Sequence, residues 1–220
     1  MVTDDPDTPG NGNWEINVSA QAQRDRSGWL YAPVDADINY GWGDRVQLKL
    51  EGPWNAQRQN GAWASGLGSS LVGVKWRFFD DDNVGWAIST YPQLVFNLDP
   101  AAVGRGLANP GKSLLLPIEG TTHVGPVDID LEVGRELRQT GDSGSIAGVI
   151  LAHTFGSSLQ VMFETRERWS PAGSATLLNL GGRWQIAEGL SLMAAAGREA
   201  GAPAADRLSN LIYLGVQLRR

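Results

Sequence analysis

The sequence predicts an all-β fold, an up-and-down antiparallel transmembrane β-barrel of about 12 strands. Three observations lead there. Segments alternating apolar and polar residues recur along the chain. No apolar run approaches the roughly 20 residues that a membrane helix needs. The nine tryptophans cluster toward strand ends and connections instead of mid-strand positions, as indole rings do at a membrane–water interface. A mean hydropathy of −0.22 looks soluble, yet alternation hides a lipid-facing surface from any average.

Residues 1–13, MVTDDPDTPGNGN, are rich in Asp, Pro, Gly and Asn and read as a flexible lead-in. The single barrel domain then spans 14–220. The period of two is clearest in WEINVSAQAQ from Trp14, PVDADINYG from Pro33, RVQLKLEG from Arg45 and SLVGVKWRF from Ser70. It continues in GWAISTYPQLVFN from Gly85, VDIDLEVGREL from Val127 and SLQVMFETR from Ser158, then ATLLNLGGRWQI from Ala175 and LSNLIYLGVQLRR from Leu208. KSLLLPIEG, GSIAGVILAHT and LSLMAAAGRE carry weaker patterns and complete the set. The alanines of the last would suit a helix, but its Gly and Pro neighbours favour a strand.

The connections alternate in kind. GWGD (41–44), DDDN (80–83), the region 123–126, FGSS (155–158) and AEG (187–189) read as tight turns. RDRSG, PWNAQRQNGAWASG, LDPAAVGRGLANPG, RQTGDSG, RWSPAGS and AGAPAADR read as less regular loops between them. A barrel with short periplasmic turns on one rim and external loops on the other shows this asymmetry. Trp14, Trp42, Trp76, Trp86 and Trp184 fall on the turn rim, and Trp29, Trp54, Trp63 and Trp169 on the loop rim.

One face of the strands is apolar, as in Val46, Leu48 and Leu50 or Val72, Val74 and Trp76. Alternation alone is symmetric, but the loop asymmetry and the tryptophan girdles assign this face to lipid, where a charge at the midplane would cost roughly 2–4 kcal/mol for Arg or Lys. The other face then lines the lumen with Asp35, Asp37, Lys49, Glu51, Lys75, Arg77, Tyr91, Asp128, Asp130, Glu132, Glu164, Arg166 and Arg183. Across the turn at 41–44, pairing is expected to set Asp37 beside Gln47 or Lys49, and Asp35 beside Lys49 or Glu51. These charges read either as an ion-pair network that shapes the wall or as a surface along a solute path. Trp54, Trp63, Leu107 and inward Tyr91 are candidate first contacts for a solute, with loops 54–66 and 98–112 as gates.

Other chemistries find little support. A net charge of −6 without a basic cluster argues against nucleic acid. There are no cysteines, and His123 and His153 lack metal-ligand spacing, so no metal or cofactor is expected. GRGLAN follows no phosphate-binding pattern, and DDDN lacks the alternate ligands of a calcium loop. Two alternatives remain: a soluble ligand-binding β-barrel, and a lipid-modifying barrel enzyme using His153, although no serine–carboxylate arrangement surrounds that residue. The chain is read as a monomeric, non-enzymatic protein whose partners are outer-membrane lipid and a small solute.

YGWGDRVQLKLEGPW, GLGSSLVGVKWRFFDD and WAISTYPQLVFN resemble a bacterial outer-membrane transporter family, that of the "meta-pathway of phenol degradation" proteins. The similarity is strongest from about Val34 to Asn97. It implies a Gram-negative outer-membrane barrel, a precursor whose signal peptide is removed, and passive uptake of hydrophobic or aromatic compounds. The ending Arg219–Arg220 departs from the terminal aromatic such barrels usually carry.

Overall fold

Period-two alternation fixes strands because successive side chains leave opposite faces of a pleated backbone. The computed structural model describes residues 1–59, 61–81, 83–201 and 207–220. Of the connections expected from the sequence, Asn60, Asp82 and 202–206 lie outside the described residues. All twelve expected strand segments are present. They form β1 (Trp14–Arg24), β2 (Trp29–Trp42), β3 (Val46–Gln59), β4 (Ala62–Leu67), β5 (Ser70–Asp81), β6 (Trp86–Thr90) and β7 (Gln93–Phe96). After a four-residue helix, α1 (Ala101–Gly104), come β8 (Ser113–Val124), β9 (Val127–Arg138), β10 (Gly144–Phe155) and β11 (Leu159–Ser170). The chain ends with β12 (Gly173–Ala187), β13 (Leu190–Ala200) and β14 (Asn210–Arg219).

These segments make 12 staves. β4 and β5 both pair with β3 and count as one stave. β6 and β7 count as another, since both pair with β5 and β8. The break between them falls at Tyr91-Pro92, where proline lacks the N–H a ladder requires. Every neighbouring pair is antiparallel, and β1 pairs with β14 from Glu15↔Arg219 to Arg24↔Asn210, which closes the barrel.

Burial settles which face looks outward. Val34, Leu50, Val133, Leu180 and Leu214 stay more than half exposed on the outside. Asp35, Lys75, Glu119, Glu132 and Glu164 are buried on the inside. A soluble barrel would need the reverse, so that alternative is overturned: dozens of large apolar side chains would otherwise stand in water. The aromatic belts also stand. Trp14, Trp42, Trp76 and Trp184 are exposed at the turn rim, with Tyr40 tilted against Trp14 at 4.7 Å. Trp86 is only half-buried there and lies above Gly120. At the loop rim Trp54, Trp63 and Trp169 are exposed, and Trp29 stacks on Tyr31 at 5.8 Å.

Short connections join the strands in the five expected regions, but pairing runs up to two residues into them: β2 continues through Trp42, β5 through Asp81 and β8 through Val124. The loops are shorter than expected. Strand pairing consumes most of PWNAQRQNGAWASG, because β3 and β4 continue as a hairpin from Trp54↔Leu67 to Gln59↔Ala62. RWSPAGS shrinks to Pro171-Ala172 between β11 and β12. The 14 residues of β3 reach about 45 Å at the usual rise per residue, well beyond an apolar band of about 25 Å. Outside the membrane the ladder still satisfies backbone N–H and C=O groups, so pairing persists past the point where apolar alternation stops.

Leu50, 52% exposed between Ile38 and Val72 on neighbouring staves, faces lipid near the middle of β3. Leu50→Arg should lower the folding free energy in lipid vesicles by about 2–4 kcal/mol. Urea titration of vesicle-folded protein measures this, and the same change at exposed Glu188 in a turn should cost almost nothing.

Candidate functional site

The inner wall brings together the charged residues that alternation assigns to it. On β2 and β3 the register differs from the sequence expectation. The hairpin closes on residues 43–45, so Asp37 lies opposite Glu51, Asp35 opposite Pro53, and Lys49 opposite Asn39. The expected Asp37–Gln47, Asp37–Lys49, Asp35–Lys49 and Asp35–Glu51 direct pairings are thus displaced. Pairing runs on through Gly41 and Trp42 before the turn begins, which moves the hairpin axis toward the C-terminus. Lys49 still reaches Asp37 diagonally at 3.3 Å, and it bonds Glu51 at 2.9 Å.

On the opposite wall Glu119 and Glu132 are direct cross-strand neighbours. Ser89 donates to Glu119 at 2.6 Å, Lys75 Nζ lies 3.7 Å from the same carboxylate, and Arg166 lies 3.3 Å from Glu132. Glu164 takes the amide of Asn179 at 3.0 Å. Asp130 accepts from Thr121 at 2.6 Å, whereas Asp128 is exposed near the turn rim. Arg183 bonds Gln160 at 2.9 Å, and Arg77 lies 3.4 Å from Asp80. Burial raises the cost of an unpaired charge, so most of these groups sit in a shared network.

Residues 1–13, expected as a flexible lead-in, instead enter the barrel from the turn rim and bind its inner wall. The backbone N–H groups of Val2 and Thr3 both donate to Glu164, the former at 2.9 Å. Lys75 donates to Asp4 at 2.8 Å and to the carbonyl of Asp5. Arg77 adds an ion pair with Asp7 at 3.6 Å, and Gly12 donates to the Gly41 carbonyl at 2.9 Å. Two glycines make room. A Cβ at Gly148 would stand 2.2 Å from Thr3 Oγ1, and one at Gly41 would stand 1.8 Å from the Gly10 carbonyl oxygen. A segment with so little apolar surface stays ordered because the wall supplies charged partners that solvent alone would not hold in place.

The suggested first contacts separate. Trp54 and Trp63 point outward, at 51% and 65% exposure, because they share the parity of Leu50 and not that of Lys49. Tyr91 is fully buried inside, where Gln47 donates to its hydroxyl at 3.3 Å and Lys75 lies 4.7 Å over its ring. Leu107 is buried at the loop rim. The loop carrying it, with α1, folds onto the inner face of the β3–β4 hairpin. There Asn55 donates to the Leu107 carbonyl at 2.7 Å and Gln57 to that of Arg105 at 2.6 Å. Residues 98–112 therefore narrow the barrel at its loop rim, while 54–59 and 61–66 form the wall they lean on. His153 faces outward at the turn rim, with Nδ1 2.8 Å from the Pro126 carbonyl and its ring edge-on to Phe155.

Beside the N-terminal segment runs a cavity of about 1090 Å³. Its lining extends from Ser113 and Glu199 near the loop rim to His123 and Asp128 near the turn rim. Not all of it is polar. Ile146, Ile150, Ala152, Ala175, Leu177 and Leu211 are buried on its wall, joined by Met162 and Met193. Sequence reasoning missed this apolar strip because it assigned one parity of every strand to a polar interior. GSIAGVILAHT held the signal: its apolar residues occupy both parities, so its inner face could not be polar.

The fold has solved counterparts. An outer-membrane channel from Pseudomonas putida F1 superposes with a TM-score of 0.74 at 12% identity, covering 100% of each chain. The KdgM porin aligns with a TM-score of 0.67 at 11% identity, covering 93% of this chain and 98% of that one. The NanC porin gives 0.67 at 11%, covering 92% and 98%. At these identities the likeness concerns the barrel itself. No family model matches the sequence, and no curated protein does either.

The docking of residues 1–7 depends on space at Gly148 and on acceptors at Glu164. In Gly148→Val the Thr3 side chain must move, and in Glu164→Gln the paired N–H groups lose a charged acceptor. Both variants should make Asp4 and Asp5 cleavable by endoproteinase Asp-N in detergent, where the unchanged protein resists. Mass spectrometry of the released N-terminal peptide reads the result.

Proposed function

We propose that this barrel is an outer-membrane channel through which small solutes with a hydrophobic or aromatic part pass by diffusion. The observation that carries the reading is the cavity of about 1090 Å³, which reaches residues near both rims and sets a buried apolar strip beside charged side chains. A purely structural barrel gains nothing from burying Ile146, Ile150 and Leu177 against a void, since apolar groups stabilise by contact and lose that benefit beside empty space. A solute that supplies apolar surface restores it.

The channel-like barrels with which the chain shares its fold support the reading, as do the exposed apolar belt and the two tryptophan girdles. Lipid of the outer membrane is then the partner on the outside and the solute the partner on the inside. Passage along the wall needs no energy coupling: a concentration gradient is enough, and the loop of residues 98–112 sets the width of the mouth.

Vesicles whose outer leaflet carries lipopolysaccharide provide the test, with the uncharged aromatic dye N-phenylnaphthylamine as solute. Folded protein should speed dye uptake severalfold over protein-free vesicles. Leu177→Glu with Ile150→Glu should remove most of that gain, because each places a charge on the apolar strip. Uptake equal to that of protein-free vesicles would overturn the proposal.

A further inference from the structure

We infer that the inner wall holds a subsite for an organic ammonium group at Asp35, Asp37 and Glu51, so that the solutes favoured are cationic amphiphiles. This rests on the reading of the lumen as a path for solutes with an apolar part. Three carboxylates here share one cation. Asp37 and Glu51 are directly opposed across β2 and β3, an arrangement of like charges that destabilises a sheet unless something bridges it. Lys49 bridges them, at 3.3 Å and 2.9 Å.

Asp35, one inward position further toward the loop rim on β2, lies outside that bridge. Its Oδ2 accepts from Gln21 at 2.7 Å. Among the described residues its Oδ1 has no hydrogen-bond partner and no ammonium or guanidinium group pairs with it, although the residue is 95% buried. A buried carboxylate oxygen without a donor is a group that a ligand cation would satisfy.

The surroundings choose the cation. Asp35 and Glu51 both line the large cavity, so the opening is on its side. Gln21 pairs with Tyr213 on β14, and the next inward residue of that strand toward the loop rim is Leu211, part of the apolar strip. An ammonium group at Asp35 would therefore send a hydrocarbon tail along Leu211 toward Leu177. A hydrated inorganic cation would satisfy the carboxylates and leave that strip bare. A carboxylate solute would meet repulsion, since carboxylates outnumber cationic side chains around the cavity by fourteen to five. A neutral solute could give Asp35 Oδ1 at most a hydrogen bond without charge assistance, weaker than one from an ammonium group.

Calorimetric titration of the folded barrel in non-ionic detergent at about pH 8, where carboxylates are normally ionised, compares three probes of equal chain length: octylammonium, octanol and octanoate. Octylammonium should bind roughly tenfold more tightly than either other probe. Asp35→Asn and Glu51→Gln should each erase most of that preference, whereas Lys49→Gln, which removes the competing cation, should increase it. Heat-modifiable gel mobility confirms that each variant is folded, and the opposite sign predicted for Lys49→Gln separates loss of charge from loss of structure. Octanol or octanoate binding as well as octylammonium, or a preference unchanged in Asp35→Asn, would overturn the subsite. Sodium chloride displacing octylammonium and octanol equally would do the same. Failure of dye uptake with the ammonium preference intact would overturn passage and leave the subsite standing.

Discussion

The pairing of β1 with β14 is the constraint on which the rest of the molecule depends. A bilayer core offers no water to unpaired N–H and C=O groups, and each left unmet there costs several kcal/mol. An open sheet of twelve staves would present two such edges to lipid. Ten consecutive register positions, Glu15↔Arg219 to Arg24↔Asn210, remove both at once. An ion pair at the turn-rim end of that seam, Arg219 to Glu15 at 2.7 Å, lies inside the barrel where it does not face lipid.

Closure gives the two strand faces unequal duties. The outer face needs only to be apolar and banded by aromatics, and it imposes no specific contacts. The inner face must satisfy buried charges without bulk water, and it does so by recruiting a second piece of chain. Glu164 and Lys75 find partners in residues 2–5, so a wall that would otherwise carry unsatisfied groups becomes a docking site. The same segment narrows the lumen, which joins the stability of the wall to the width of the interior. Removing either charge therefore affects both properties.

The interior is divided laterally as well. β2 and β3 carry Asp35, Asp37, Lys49 and Glu51, whereas β10 and β12 carry Ile146, Ile150, Ala175 and Leu177. Under the proposed function, an interior with a charged side and an apolar side can orient an amphipathic solute that a uniformly polar one would not distinguish. The strand β10 pays for this arrangement with weak alternation, apolar on both faces along most of its length.

The sequence by itself determined the strands, the alternation of short and longer connections, the apolar outer face and the inward charges. These follow from a local rule: the backbone pleat sends neighbours to opposite sides, so Val46, Leu48 and Leu50 must part from Lys49 and Glu51 wherever the chain goes. Loop lengths were less legible, since ladder pairing beyond the membrane needs no apolar pattern and left none in PWNAQRQNGAWASG. Register, too, was off by a small step at 41–44, because alternation repeats every two residues and fits several alignments equally well. Only the tertiary structure decided that Trp54 and Trp63 look outward, that residues 1–13 dock inside the barrel and that β10 turns an apolar face to the lumen. Each depends on a surface assembled from several staves: Glu164, Lys75 and Gly148 come from three different strands and make a dock for the N-terminal segment only after the barrel has closed.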